Sequence, residues 1–504
     1  MKTQSSDSLE SEKAADLRTS SEPRFRWLFI ALTSLSLIPF WTVRYPLICD
    51  YPNHLARWFV LHHWQDPLYH FSAFYQPVWG PLPYISSELL AVGLLHFLPV
   101  DIVGRCILSL CIVSVSFAGL LFLRKACPEN SSLALFGILI AFNPLFLLGS
   151  MSYELSIAFC LLTVSLWISY CSSRKVSAAL WVVLALLLTY LTHLMGILTA
   201  GLVMGVYALF QQSRWKTLGV LAILSSPTLA LMGYNLRDGG GAAAGRFVFA
   251  DITAWDKFRN LVFPVRLFTS RILDVVVLAL IATLLILLVR AQQRIIIRPV
   301  WVAACAPLLL IYLIAPPQWG NGGWADCRVM MFLFFFALPA FRFPRIPRYL
   351  LILLAAVVAI RVATVERLFI VQQPKVQQLT EAFEAIPRDA KVLQVGEVDV
   401  GEGLLAGRGS TYTMLYGVIQ RGFLASQLYH NPGVQPIRLA ANVYCRNVVC
   451  SPGNPTDTEW RNIALSYDYL WVHKDWIAPP IPSRIADLAF SNEYVAVYRI
   501  KHQA

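Results

Sequence analysis

Nine residues, Cys49-Asp50-Tyr51-Pro52-Asn53-His54-Leu55-Ala56-Arg57, form a polar island directly behind the first long apolar run of the chain, residues 27–48. A carboxylate, an imidazole and a guanidinium set together beside apolar sequence imply partners or a task, because desolvating such groups is costly. With Pro52 in the first turn of a helix, Asp50 and His54 stand four apart and share a face. The two groups would then converge on one point, as proton transfer requires. The same spacing also fits a structural role, with Asp50 as an N-cap accepting backbone N–H bonds. The island's position in the whole chain favours chemistry.

The elements that must hold this island are membrane helices. The chain has 504 residues, 57% of them hydrophobic and 14% charged, with a mean hydropathy of +0.58. A soluble chain of this length would need far more polar surface, so the sequence reads as an α-helical polytopic membrane protein. The net charge of +12 is not a nucleic-acid footprint, since its cations sit in short clusters between apolar runs. These are Arg24 and Arg26; Arg124 and Lys125; Arg174 and Lys175; Arg214 and Lys216; Arg290, Arg294 and Arg298; and Arg342, Arg345 and Arg348. Placing every cluster on the cytoplasmic side gives about eleven crossings, with the N-terminus inside and the C-terminus outside. The expected spans are 27–48, 102–123, 132–149, 155–172, 177–193, 196–212, 217–234, 273–290, 299–315, 328–341 and 349–370. Residues 1–26 read as a disordered cytoplasmic tail, and 27–48 as a retained helix, not a cleaved signal.

The outer side then receives the loop 49–101, the turn Gly149-Ser150-Met151-Ser152-Tyr153-Glu154, the turn at Thr192-His193, the connection 235–270, the loop 316–328 and everything from about 371. Residues 55–64 and 84–98 are too short for clean spans and are expected as juxtamembrane helices. The tail changes composition. A helix at about 376–385 followed by strand-like runs at 391–395, 469–472 and 494–498 predicts a small α/β soluble domain over 372–504, outside a transmembrane domain over 27–371. Cys445 and Cys450 are the only cysteines in that tail and read as a disulfide in an oxidising compartment, with free thiols the alternative. The glycine-rich segment Arg237-Asp238-Gly239-Gly240-Gly241 lacks the Lys-Ser/Thr ending of a phosphate cradle and reads as an outer loop.

This architecture resembles the C-type (GT-C) membrane glycosyltransferases, the superfamily that includes aminoarabinose transferase and the protein O-mannosyltransferases. The resemblance rests on Asp50-Tyr51-Pro52-Asn53-His54 just beyond the first membrane helix and on the long first outer loop. It rests also on Gly80-Pro81-Leu82-Pro83-Tyr84 leading through an apolar helix to Gly104-Arg105. The chain lacks the lysine that aminoarabinose transferases carry before the position of Pro81, so that residue's phosphate-binding role does not transfer. The resemblance implies transfer of a sugar from a polyprenyl-phosphate-linked donor to a lipid, glycan or protein acceptor. The reaction would take place at the outer, periplasmic face of a bacterial inner membrane. A hydroxyl acceptor must lose its proton as it attacks, and Asp50 is the candidate general base, with inversion following from a single displacement. His54 would orient Asp50 or bind substrate.

The departing phosphate gains charge and needs fixed cations. Arg328 is the best-placed candidate, followed by Arg57, Arg237, Arg246 and Lys257. Asp326 would act as a second carboxylate or pair with Arg328, and Glu88, Glu154 and His193 would either line the cavity or make structural helix–helix hydrogen bonds. No residue pattern names a cofactor. A divalent cation on Asp50, His54 and Asp326 is the one option the residue types admit, although two ligands at i, i+4 do not make a metal site. Two other functions compete: a polymerase or ligase of lipid-linked glycans, and a transporter or flippase with an outer domain. A transporter should place its polar residues at midplane depth, whereas here they gather at one face.

Overall fold

The computed structural model describes residues 23–237, 247–248, 253–266, 271–292, 295–319, 322–343, 346–396, 410–425, 427–428, 435–440 and 455–502. Helix dominates, and each of the eleven apolar stretches contains it, since backbone in hydrocarbon must satisfy its N–H and C=O groups within its own segment. Among the described residues six helical segments are long and apolar enough to cross a membrane: Val100–Ala126, Pro128–Leu147, Met151–Ser173, Arg214–Asn235, Ile272–Arg290 and Arg348–Ala385. Val176–Thr192, Leu194–Leu209 and Pro299–Ile314 are shorter apolar helices, and Ala325–Ala337 is shorter again. Large apolar side chains such as Ile223, Leu229, Ile272, Val275 and Ile286 point outward, as a hydrocarbon solvent permits.

The first apolar stretch is not one helix over 27–48. Helix covers 23–35, a turn follows at 36–37, and the four-residue helix Ile38–Trp41 carries Pro39 in its first turn. Proline offers no N–H to the preceding turn and its ring crowds the carbonyl four back, so the helix ends there. The chain then runs without helix to Asp50, held by side chains of a distant helix. Thr42 Oγ1 donates to Glu366 Oε1 at 2.6 Å, and the Gln373 amide bonds both the N–H and the carbonyl of Tyr45 at 3.0 and 2.8 Å.

The expected juxtamembrane helices are present as Tyr51–His62 and Ile85–Leu95. Gly104 lets the first of them lie directly on Val100–Ala126: a Cβ there would fall 2.3 Å from the Tyr51 hydroxyl oxygen. Toward the C-terminus one continuous helix, Arg348–Glu381, runs from the bundle to a five-stranded sheet. The strand order is Ala486–Ser491, Val495–Ile500, Tyr469–His473, Lys391–Val395, Leu424–Ala425. The first two junctions are antiparallel and the last two parallel.

The sheet docks on the first loop. Tyr75–Pro77 pairs antiparallel with Ile437–Leu439, and the Tyr75 hydroxyl both donates to the Ala425 carbonyl (2.7 Å) and accepts from its N–H (2.8 Å). Cys445, Cys450, Arg246, the glycines of 239–241 and residues 1–22 lie outside the described residues. The eight described cysteines are unbridged.

Candidate active site

The site is built on a turn. Asn143 ends the helix Leu135–Ala141, and its Oδ1 accepts from the N–H groups of Leu145 and Phe146 at 2.9 and 3.0 Å, starting the short helix Pro144–Leu147. The Asn143 amide is itself aimed by Glu154, which accepts from its Nδ2 at 2.8 Å, and by the Ile140 carbonyl at 3.1 Å. The chain then passes through Gly149 at φ 97°, a left-handed conformation where a side chain is disfavoured. A Cβ on Gly149 would also lie 2.6 Å from that of Asp50. Three successive carbonyls of this turn hold the polar island: Leu147 O accepts from Cys49 N (3.2 Å), Leu148 O from Asp50 N (3.0 Å) and Gly149 O from His54 Nε2 (3.1 Å).

Asp50 occupies the N-cap position of Tyr51–His62 with Pro52 in the first turn, yet its side chain makes no capping bond. The capping alternative therefore does not account for its carboxylate. His54 is fixed in one tautomer. A carbonyl can only accept, so Nε2 carries the proton, and Nδ1 accepts from Arg57 Nη2 at 2.8 Å. Burial, followed by the neighbouring Arg57 charge, holds His54 well below the ordinary histidine value, against the opposing pull of the Gly149 carbonyl. With both nitrogens engaged, His54 is a neutral strut behind Asp50.

The other candidates sort by their partners. Arg57 and Glu88 form a buried ion pair at 2.5 Å, 1% and 3% exposed, so each is neutralised by the other. Lys257 and Asp326 form another at 2.7 Å, and Lys257 also donates to the Tyr312 and Ala315 carbonyls. The alternative in which Asp326 pairs with Arg328 fails because residues two apart on a helix point to different faces. Glu154 does not line an open cavity. It is fully buried under the turn that it braces through Asn143. Arg237 lies exposed at the end of its helix.

Arg328 is different. Its guanidinium lies 5.0 Å over the Tyr153 ring, donates to Ser150 Oγ at 3.5 Å and to Gly323 O at 3.4 Å, and stands 3.3 Å from His193 Nε2. Among the described residues no carboxylate is within ion-pair distance of it. His193 Nδ1 accepts from the Met195 N–H at 3.0 Å, so neutral His193 carries its proton on Nε2. Two donors thus face each other, and an anion in front of both is what such a pair can bind. Tyr84, at φ 79°, packs edge-on against His193 with ring centroids 4.4 Å apart, and Tyr153 does so at 5.3 Å.

The geometry therefore links Asp50, His54, Arg57, Glu88, His193 and Arg328 through the turn at 147–150. It leaves Lys257 and Asp326 as a separate pair. Ser150, Tyr153, Tyr84 and Asn143 were not singled out from sequence. The signal for three of them was a glycine turn flanked by Asn143-Pro144 and Tyr153 at a helix start. Asn53 joins the sheet to the site by donating to the Gln427 carbonyl at 3.0 Å. Among the described residues no three His, Cys, Asp or Glu side chains are placed to hold a metal ion. Of the three expected ligands, His54 has both nitrogens engaged and Asp326 is bound to Lys257.

No protein-family model and no curated protein matches the sequence. Solved structures do match. ArnT from Cupriavidus metallidurans bound to undecaprenyl phosphate is 11% identical with a TM-score of 0.50, covering 95% of this chain and 98% of that one. Its apo state is 10% identical with a TM-score of 0.52, covering 96% and 99%. The mycobacterial arabinofuranosyltransferase AftD is 12% identical with a TM-score of 0.41 and matches 94% of this chain but 41% of its own. The chain thus shares the fold of ArnT, with the long apolar helices of an integral membrane protein.

Proposed function

We propose that this protein is an inverting glycosyltransferase that takes a sugar from a polyprenyl-phosphate carrier at the outer face of the membrane. The observation that carries the reading is the facing pair of donors on Arg328 and His193, without a protein carboxylate to neutralise them among the described residues, next to the turn that presents Asp50. Asp50 takes the proton of the acceptor hydroxyl as its oxygen attacks the anomeric carbon. The bond from that carbon to the phosphate oxygen breaks, and Arg328 and His193 receive the growing negative charge. Tyr153 holds Arg328 from below, by its ring and by its hydroxyl, which donates to the Arg328 carbonyl at 2.5 Å.

The fold shared with an ArnT structure that binds undecaprenyl phosphate supports a carrier of this chemical class. The distribution of basic clusters supports eleven crossings with the N-terminus inside. On that orientation the site and the sheet of 372–504 both face the periplasm of a bacterial inner membrane, and the sheet closes over the acceptor side. The test is turnover of radiolabelled polyprenyl-phosphate sugars by purified wild type and Asp50→Asn. We expect a correctly inserted variant to lose at least about a hundredfold in rate. Equal turnover would overturn the assignment of Asp50.

A further inference from the structure

The end of the bundle opposite the Asp50 cluster holds a cavity of about 420 Å³. The Asp50 cluster sits near the starts of Val100–Ala126 and Met151–Ser173, and the cavity lies toward their ends, so that Gly104 to Lys125 on the first and Met151 to Ile168 on the second span roughly 25–30 Å of helix. Its floor is aromatic, with Tyr207 and Trp301 rings 5.9 Å apart and Phe210 beside them, and its rim carries Lys125, Gln211 and Arg298. Among the described residues no carboxylate lines it. Arg298 is anchored there because its Nη1 donates to the carbonyl of Ala126. The nearby acid Glu129 is paired with Arg342 at 2.7 Å and lies only within longer electrostatic reach of Arg298. Two cations and an amide above an apolar floor, at the boundary end of membrane helices, match a group with a negative head and a hydrocarbon body.

We propose that this cavity binds the headgroup of an anionic phospholipid, with the phosphate between Lys125 and Arg298 and the acyl region against Phe210. A free inorganic anion would gain nothing from the aromatic floor, so the lipid is the occupant the lining selects.

The test is native mass spectrometry of the full chain in detergent carrying equal phosphatidylglycerol and phosphatidylcholine of matched acyl chains. Wild type should retain the anionic lipid at least about fivefold over the zwitterionic one, and Lys125→Ala should reduce that preference to about twofold. Lys125→Glu should abolish the preference, and inorganic phosphate should not displace the lipid. Lys125 is exposed at a helix end, so both variants should melt as wild type does. Equal retention of the two lipids, or an unchanged preference in both variants, would overturn the proposal. Displacement by inorganic phosphate would assign the cavity to a free anion and overturn it equally.

Discussion

Asp326 and Arg328 are two residues apart on one helix, yet they belong to opposite electrical environments. On one face Lys257 meets Asp326 at 2.7 Å and the protein supplies both charges; on the other, Arg328 meets His193 and, among the described residues, no carboxylate. In the sequence Arg328 ranks ahead of Arg57 and Lys257 only by its place at the end of an outer loop, since residue type does not separate them. The difference teaches that a buried cation already paired with a carboxylate is spent on the fold, whereas one paired with another donor has attraction left for a ligand.

The sharpest way to break this contrast is to truncate each cation. Lys257→Ala leaves Asp326 buried and unpaired and should destabilise the protein by about 3–5 kcal/mol, read as a lower melting temperature in detergent. Arg328→Ala should leave the melting temperature nearly unchanged. It should weaken binding of undecaprenyl phosphate by roughly 10- to 100-fold, the range of a charge-assisted hydrogen bond of about 1.5–3 kcal/mol. Should Arg328→Ala melt early and bind normally, the contrast is wrong.

Glu154 sharpens the contrast further, because it acts on the site only through Asn143. Glu154→Ala removes one of the two acceptors of the buried Asn143 amide, leaving the Ile140 carbonyl, at about 1–3 kcal/mol, and should lower turnover by loosening the turn that holds Asp50. Glu154→Gln keeps an acceptor oxygen and should restore turnover with an unshifted pH profile. A proton-transfer role for Glu154 would instead leave the amide variant inactive.

The smallest effect is expected in the sheet. His473 is buried and accepts from Trp471 Nε1 at 3.2 Å, and burial pushes its pKa down to about 3, with Lys375 adding to burial and Asp475 opposing it. The unfolded chain titrates near the ordinary value of about 6.5 and so binds more protons below it. The stability that neutral His473 contributes is therefore present above that value and is lost as pH falls toward 3. His473→Gln should flatten this slope in acid melting curves while leaving undecaprenyl phosphate binding unchanged. An unaltered slope would place the acid sensitivity elsewhere.

Much of this was legible in the sequence, for physical reasons. The polar island stood out because charge beside apolar runs is costly, and Pro52 announced the helix that carries His54. The strands at 391–395 and 469–473 followed from runs of β-branched and aromatic residues. What the sequence could not carry was pairing at a distance. Lys257 reaches Asp326 across 69 positions, and Glu88 reaches Arg57 across 31. Nothing local distinguishes those cations from Arg328. The broken first span is invisible to hydropathy because a single Pro39 is averaged into an apolar window, while the backbone registers a lost donor.

The unbroken helix Arg348–Glu381 has a geometric corollary. Every residue added to or removed from its last turns would swing the attached strands by about 100° and shift them by about 1.5 Å. Tyr75 could then no longer reach Ala425, nor Asn53 reach Gln427. A whole turn restores the facing but displaces the strands by about 5.4 Å, so no change of length here preserves these contacts and the residue count acts as a ruler for how the outer cover is clocked onto the membrane bundle.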